Sequence, residues 1–448
     1  MTTFHVTSQR PSILYQQKNS WFFISISFCV ILPNVLAFAA PSSSSSSLPP
    51  FLETDSSMKV ALEAVRKASV ITKALQPSNN NNNNKIQTVS KTDLSPVTVA
   101  DFAVQATVLK HLRTAFPNDS FIAEESSQAL KDDSQLAERV QIAVNSCNNE
   151  NNKDGDCIEM VQNSIDLGKE YESWDEKTGR PSRVWVLDPI DGTKGFLRGQ
   201  QEGGQYCIAL ALLEDGIPTI GVLACPNLPQ SPPEYVWTHD DNNDEKGCIF
   251  VASKGCGCYQ LSLEDDGSAK RIYCTPNSMS MASKNKDGAI ENTEDTNNTS
   301  QRRRQPQYGR FCIGVERGFG DALGQCIGTA KVLHGSLTTD GEIRDAQRLD
   351  SQAKYGILAR AGAEYYARFP KPGYVEWIWD QAAGYVVLTE AGGQMTDTDG
   401  DAIDFSLGAQ LSPKVKGVLG SNGGDFHEAL LQAFGQQEKE RKKKEGGS

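Results

Sequence analysis

Positive charge is in short supply in this chain. It has 44 Lys and Arg against 56 Asp and Glu, a formal net charge of −12 over 448 residues. That balance excludes a protein that coats nucleic acid polymers, which needs a broad basic face. Phosphate handled here must meet positive charge supplied locally, by metal ions or by a few Arg and Lys. Histidine is scarcer still. The five histidines are scattered with no pair at metal-ligand spacing, which excludes a histidine zinc centre, and His334 beside Gly335 reads as a loop or core residue. The eleven cysteines show no repeating C-x-x-C spacing, so zinc ribbons and a disulfide scaffold are poor readings. No cysteine has an arginine six positions on, so a thiolate phosphatase loop is absent. Asp397, Asp399 and Asp401 hint at a calcium loop, but Ala402 stands where its turn glycine belongs and Gly408 where its bidentate glutamate belongs.

What the chain does have is a dense stretch at its centre, Asp188-Pro-Ile-Asp-Gly-Thr-Lys-Gly195. The apolar run Val184–Leu187 before it predicts a buried strand that ends at Asp188. Pro189 and Gly192 then break the strand and return Asp191 to the side of Asp188. Two carboxylates that close repel each other, a cost best relieved by a shared cation. A helix starting at Gly192 and Thr193 would leave free backbone N–H groups, which hold phosphate. The competing reading is a plain loop, since Asp-Pro and Asp-Gly are ordinary turn dipeptides. Two further stretches weigh against it. Glu124 and Glu125 directly follow the short apolar run ending at Ala123, and Asp380 ends Trp377-Ile378-Trp379-Asp380 at the mouth of a helix-like run.

The N-terminus reads as a targeting segment. Lys18 precedes an almost uncharged apolar run, Trp21–Ala40, whose small residues at Val35-Leu36-Ala37 suit cleavage after Ala37. Phe38-Ala39-Ala40-Pro41 and six serines follow. This arrangement resembles the bipartite plastid presequences of diatoms and related algae, with the secretory pathway as the alternative. The expected division is a presequence over 1–57, an N-terminal α+β domain over 58–309 and a C-terminal α/β domain over 310–437. A charged tail over 438–448 completes it. Polar inserts are expected at 79–84, 128–183 and 276–307, the last marking the domain boundary.

Periodicity predicts helices over Met58–Gln76 and Val99–Phe116. Residues 128–183 read as a polar excursion, helical only near Leu136–Val144. Strands are expected over Tyr206–Leu213 and Ile217–Ala224, joined as a hairpin at Glu214-Asp215-Gly216, and then at Tyr235–Trp237 and Cys248–Ala252. Beyond 310 the pattern alternates: strand Phe311–Val315, helices Ala322–Val332 and Ala353–Ala361, strand Glu364–Phe369, and helix Asp380–Ala391. Asp380 could be no more than the N-cap of that last helix, and Asp101 no more than an acid favoured in a helix's first turn.

Taken together these stretches resemble the lithium-sensitive, magnesium-dependent phosphatase superfamily that includes inositol monophosphatase and fructose-1,6-bisphosphatase. Ser95-Pro-Val-Thr98, the octapeptide continuing into Phe196-Leu-Arg-Gly199, and Asp350-Ser-Gln-Ala-Lys-Tyr355 resemble its 3′(2′),5′-bisphosphate nucleotidases. The motifs run in the family's order from Met58 to Asn422. The resemblance implies a layered α/β/α/β/α sandwich of two mixed-sheet domains. It also implies two or three Mg²⁺ held by Glu124, Asp188, Asp191 and Asp380 with the backbone carbonyl of Ile190. Thr193, oriented by Asp101, would activate the attacking water, and Gly192 and Thr193 would cradle the scissile phosphate.

Ser351, Lys354 and Arg368 match positions that contact the nucleotide. Ser351 and Lys354 are expected in the first turn of one helix facing one anion, with Arg368 reaching it from its strand. The competing reading pairs Arg368 with a local acid such as Glu364. The activity implied is release of the 3′-phosphate from adenosine 3′,5′-bisphosphate, and of its sulfated relative, a small-molecule chemistry with no polymer partner and no lasting membrane insertion. An inositol phosphate phosphatase and a catalytically weakened phosphonucleotide sensor are the alternatives. Departures from the family pattern are Gln381 where histidine is usual, Trp377 where a basic residue is common, Phe319-Gly-Asp-Ala322 where a histidine-containing stretch is expected, and an insertion at Gln200–Gln205.

Overall fold

The computed structural model describes residues 48–77, 88–90, 96–146, 155–174, 180–230, 246–264, 266–275, 309–314, 322–333, 337–339, 341–371 and 373–445. The apolar presequence, the Asn79–Asn84 insert, Tyr235–Trp237, the 276–307 insert, Phe319–Asp321 and His334 lie outside these residues. The described chain opens with helices α1 (Pro50–Thr54) and α2 (Ser56–Leu75). Asp55 caps α2 by accepting from the N–H groups of Ser57 and Met58, which relieves two donors the helix cannot pair internally. Strands β1 (Thr88–Ser90) and β2 (Pro96–Thr98) pair antiparallel and lead into α3 (Val99–Ala115).

Seven strands form the first sheet in sequence order: β3 (Ser120–Ala123), β4 (Arg183–Asp191), β5 (Cys207–Glu214), β6 (Ile217–Pro229), β7 (Lys246–Ser253), β8 (Gly257–Ser262) and β9 (Ala269–Ile272). β3 and β4 run parallel and the remaining pairs antiparallel. The expected strands at Tyr206–Leu213, Ile217–Ala224 and Cys248–Ala252 are β5, β6 and part of β7. The 128–183 excursion departs from expectation. It folds as α4 (Gln128–Asp132), α5 (Ser134–Asn145), α6 (Ile158–Asp166) and a 3-10 segment, Leu167–Ser173. Leu130, Leu136, Val140, Val161 and Ile165 from these helices close a separate core against Phe102 and Ala106 of α3. The short helix α7 (Thr193–Arg198) follows β4.

The second sheet holds five strands in the order β11-β10-β12-β14-β13: β10 (Phe311–Ile313), β11 (Gln347–Arg348), β12 (Tyr365–Arg368), β13 (Gln394–Asp397) and β14 (Val418–Ser421). β10 pairs parallel with β11 and β12, whereas β14 pairs antiparallel with β12 and β13. Its helices are α8 (Ala322–Val332), α9 (Ala353–Ala359), α10 (Ala382–Glu390) and α11 (Gly424–Glu445).

The period-two alternation of the strands assigns the layers. On β4, Trp185 and Leu187 face α2 and α3, while Val184 and Val186 face α9 and α10. On β12, Tyr366 joins that same central core, and Tyr365 and Ala367 face α8 and α11. The order is therefore helices, seven-stranded sheet, α9 and α10, five-stranded sheet, helices: the layered α/β/α/β/α sandwich. The two sheets share one helical layer packed so closely that a Cβ on Gly384 of α10 would lie 2.0 Å from the Tyr355 ring of α9.

Candidate active site

β4 does not stop at Asp188 as its sequence suggests. It continues through Pro189 to Asp191, pairing Asp188 with Ala209 and Asp191 with Cys207. Three steps along β4 thus match two along β5, a one-residue bulge. Residues 188 and 191 of a regular strand would point to opposite faces; the extra residue puts both carboxylates on one side. Pro189 is tolerated because it falls in the bulge, where no ladder N–H is required.

Gly192 then takes φ +85 and caps α7, as the free-N–H reading requires. A Cβ there would lie 2.9 Å from the Cβ of Ser351, so glycine is what lets the octapeptide touch the Asp350–Tyr355 stretch. Two bonds fasten the same contact. The Gln352 N–H donates to Asp191 Oδ2 at 2.6 Å, and Arg198 donates to Asp350 Oδ2 at 2.6 Å.

Asp380 arrives from the second half of the chain at the end of a 3-10 turn, Ile378–Asp380. It is not an N-cap: Gln381 holds that place for α10, without a side-chain bond. One carboxylate oxygen from each of Asp188, Asp191 and Asp380 lies within 4.8 Å of the others. Glu124 stands outside this trio, but its charge acts on both Asp188 and Asp380. Its backbone is pinned at the end of β3. Lys169 donates to the carbonyls of Ala123 (3.2 Å) and Glu124 (3.1 Å), and Gln105 both donates to and accepts from the Glu125 backbone.

The proposed activating pair is placed on neighbouring elements. Asp101 is buried at the third position of α3 and closes a capping box with Thr98, accepting from the Thr98 N–H at 2.9 Å and from its hydroxyl. Thr193 donates its hydroxyl to the Ile190 carbonyl at 3.3 Å. β2 packs on α7, and Ala100 shares a small core with Ile190 and Phe196, so the two residues belong to one corner of the fold.

The expected anion site at Ser351 and Lys354 needs correction. Ser351 sits ahead of the N-cap Gln352 at φ +70, outside the first turn of α9. Lys354 turns inward, donating to the Leu349 carbonyl at 3.4 Å and lying 5.1 Å over the Tyr366 ring. The two do not share a helical turn. Arg368 differs too. Glu364 is taken by Arg310 and Thr275, while Arg368 Nε lies 2.8 Å from Glu376 and its Nη2 donates to Asp380 Oδ2 at 3.0 Å. Glu376 was invisible as a site residue in the sequence; its only mark there is a charged residue inside an apolar, aromatic run.

Electrostatics make the trio a poor place for three bare carboxylates. Burial, then the charges of Glu124, Asp191 and Asp380, push the Asp188 carboxyl well above the usual range. Burial also raises Asp191 and Asp380, against partial relief from Lys354 and Arg368 for the first and Arg368 for the second. Asp188 Oδ1 is fully enclosed and has no hydrogen-bond partner. An orphaned carboxylate oxygen among hard oxygen donors fits a divalent cation. A stability prediction follows from the sign of these shifts. Unfolded aspartates titrate near 3.8, so above that pH the folded, metal-free protein binds more protons than the unfolded chain. Its stability should therefore fall as pH rises through the raised range. Denaturation in EDTA across pH should show this slope, and it should flatten in Asp188→Asn or with a divalent cation; an unchanged slope in both would refute it.

The family model for the inositol monophosphatase family matches residues 53–439. The 3′(2′),5′-bisphosphate nucleotidase of Schizosaccharomyces pombe is 33% identical over 396 residues, covering 84% of this chain and 94% of that protein. The enzyme of the same name from Emericella nidulans is 35% identical over 374 residues, covering 80% and 92%. That of Oryza sativa is 36% identical over 343 residues, covering 74% and 82%. Among solved structures, an inositol monophosphatase from Anabaena superposes with a TM-score of 0.46 at 18% identity, covering 86% of this chain and 97% of that one. Matched over most of its length by the family model and by relatives at 33% to 36% identity, the chain belongs to the inositol monophosphatase family.

Proposed function

We propose that this protein is a Mg²⁺-dependent phosphomonoesterase that removes the 3′-phosphate of adenosine 3′,5′-bisphosphate, with 3′-phosphoadenosine 5′-phosphosulfate as a second substrate. The observation that carries the reading is the trio Asp188, Asp191 and Asp380, the first buried and the other two partly so, with the unpartnered Asp188 Oδ1. The names of the relatives supply the substrate class. Asp188, Asp191, Asp380 and Glu124, with the Ile190 carbonyl, would hold the cations. Bound there, such ions stabilise negative charge on the phosphoryl oxygens.

The chain's own groups do the rest. The Gly192 and Thr193 N–H groups at the start of α7 orient the scissile phosphate. The Thr193 hydroxyl, turned from the Ile190 carbonyl toward Asp101, would take a proton from the attacking water as it hands its own to Asp101, while the 3′-oxygen leaves and is protonated from solvent. Burial of Asp188 and partial burial of Asp191 and Asp380 lower the local dielectric, which strengthens each of these contacts. Ser351 and Arg368 line the approach for the rest of the nucleotide, and Lys354 supplies charge from beneath. The apolar Trp21–Ala40 run and the serines after it support delivery to a plastid, which a fusion of residues 1–57 to a fluorescent protein would test.

A phosphate-release panel over bisphosphonucleotides and inositol phosphates tests the reading. Adenosine 3′,5′-bisphosphate should be turned over best, with Mg²⁺ required and Li⁺ inhibitory. Full activity in excess EDTA would sink the metal assignment, and preference for an inositol phosphate would overturn the substrate.

A further inference from the structure

Arg368 is shared between two carboxylates, and the division is built into the fold. Its Nε faces Glu376 at 2.8 Å and its Nη2 faces Asp380 at 3.0 Å. The Glu376 side chain is 0% exposed and is not a member of the carboxylate trio. Its second anchor is Gln381, whose Nε2 donates to Glu376 Oε2 at 3.3 Å. The Tyr355 hydroxyl donates to Gln381 Oε1 at 2.6 Å, which fixes the amide so that its N–H side faces Glu376. The Glu376 backbone is held in turn by the Leu411 N–H, which donates to its carbonyl at 2.9 Å.

We infer that Glu376 is a positioning residue that draws part of the Arg368 charge away from Asp380 and so keeps Asp380 available to a divalent cation. The inference rests on the reading of the trio as a cation site. One guanidinium cannot fully neutralise two carboxylates at once. While Glu376 is charged, Arg368 is divided between them and Asp380 retains anionic character. Remove that charge and Arg368 has Asp380 as its main counter-ion, in direct competition with any cation. The loss of one negative charge near the site acts in the same direction. Gln381 suits this arrangement because its neutral amide steadies Glu376 without adding a positive charge that would compete with Arg368.

Mn²⁺ serves as the probe, its free ion counted by electron paramagnetic resonance as it is titrated into the metal-stripped full chain. Wild type should bind. Glu376→Gln, nearly isosteric, should weaken binding by about tenfold or more, the scale of a lost charge-assisted contact. Arg368→Met should bind more tightly than wild type, and the double variant should regain at least wild-type affinity. That recovery separates competition from simple damage, because a merely structural role predicts that the double variant is worse than either single one. Equal affinity in Glu376→Gln and wild type would overturn the inference, as would a double variant weaker than Glu376→Gln. If Glu376→Gln does not fold, Arg368→Met alone decides, and binding no tighter than wild type refutes the competition. Absence of Mn²⁺ binding by wild type would instead remove the cation site itself, and the inference with it.

Discussion

Asp188→Asn should cost the enzyme at least about 4 kcal/mol of transition-state stabilisation, a loss of roughly a thousandfold in kcat, while leaving the metal-free fold as stable as before or more so. The two effects have opposite signs for one reason. Asp188 is 3% exposed, its Oδ1 has no partner, and Glu124, Asp191 and Asp380 all repel it. Neutralising it relieves that repulsion in the empty site. The same change removes charge from the centre of the cation site, and Asp191, the other carboxylate there on β4, is already a member of the trio. Turnover and EDTA-phase melting measured side by side would check both halves. Near-native turnover would mean that the octapeptide is only a turn.

Arg368→Ala is the second large effect, and the structure changes what it should report. A contact to a distant phosphate alone would spare substrates that lack one. Arg368 also holds Glu376, which has 0% side-chain exposure, and Asp380, at 14%. Its removal leaves a buried carboxylate with an amide as its remaining side-chain partner, and should cost about 2–3 kcal/mol of stability. That is below the usual range for breaking a buried pair, because the Arg368 side chain is itself 33% exposed and water can enter. Catalysis should fall on adenosine 3′,5′-bisphosphate by about tenfold or more in kcat/KM, the loss expected for a charge-assisted phosphate contact. A small monophosphate should fall less, yet measurably, because the Asp380 carboxylate loses the guanidinium that orients it even as it binds a cation more tightly. Equal falls on the two substrates would remove Arg368 from the substrate site and leave it as support for Asp380.

Much of this site was legible because its chemistry lies in short strings. Asp188, Ile190, Asp191, Gly192 and Thr193 fall within six consecutive positions, and a run of β-formers announces the strand that leads into them. The layered fold was legible for the same reason, through period-two strands and amphipathic helices. What escaped depends on partners distant in sequence. Glu376 and Gln105 are ordinary polar residues until the fold surrounds them; Gln105 meets Glu125 across 20 residues and Ile165 across 60. The bulge at Pro189 escaped because proline read as a strand breaker, when within a sheet it can also mark a place where the ladder skips.

In the 128–183 excursion the helix near Leu136–Val144 was legible and is α5, whereas α4 and α6 escaped because each is short and set among polar residues. Their Leu130, Val161 and Ile165 suffice once α3 offers a surface. Two ion pairs on the outer side of α3, Lys110 with Asp156 and Arg113 with Glu170, fasten the excursion there. Ser351 lies two residues before α9 begins, outside the turn expected for it, for a local reason. A helix was expected to accept Ser351 and Lys354 together, but the approach of Gly192 forces Ser351 into a left-handed conformation before the helix begins. The price is a strained serine at the site, where such strain is commonly found.

The shared helical layer has a consequence for how the chain reaches its working state. Asp191 and the Gln352 N–H that fixes it are 161 residues apart, and Asp380 comes later still. Each sheet can gather its own strands from nearer segments, but the trio exists only after the layers have docked around α9 and α10. Closing loops of that length is slow and entropically costly, so the carboxylates converge late and against their own repulsion. A cation that binds only the docked state adds its binding energy to that last step alone. The ion in such a protein is therefore also a fastener between two half-built bodies, and its concentration sets how long they stay joined.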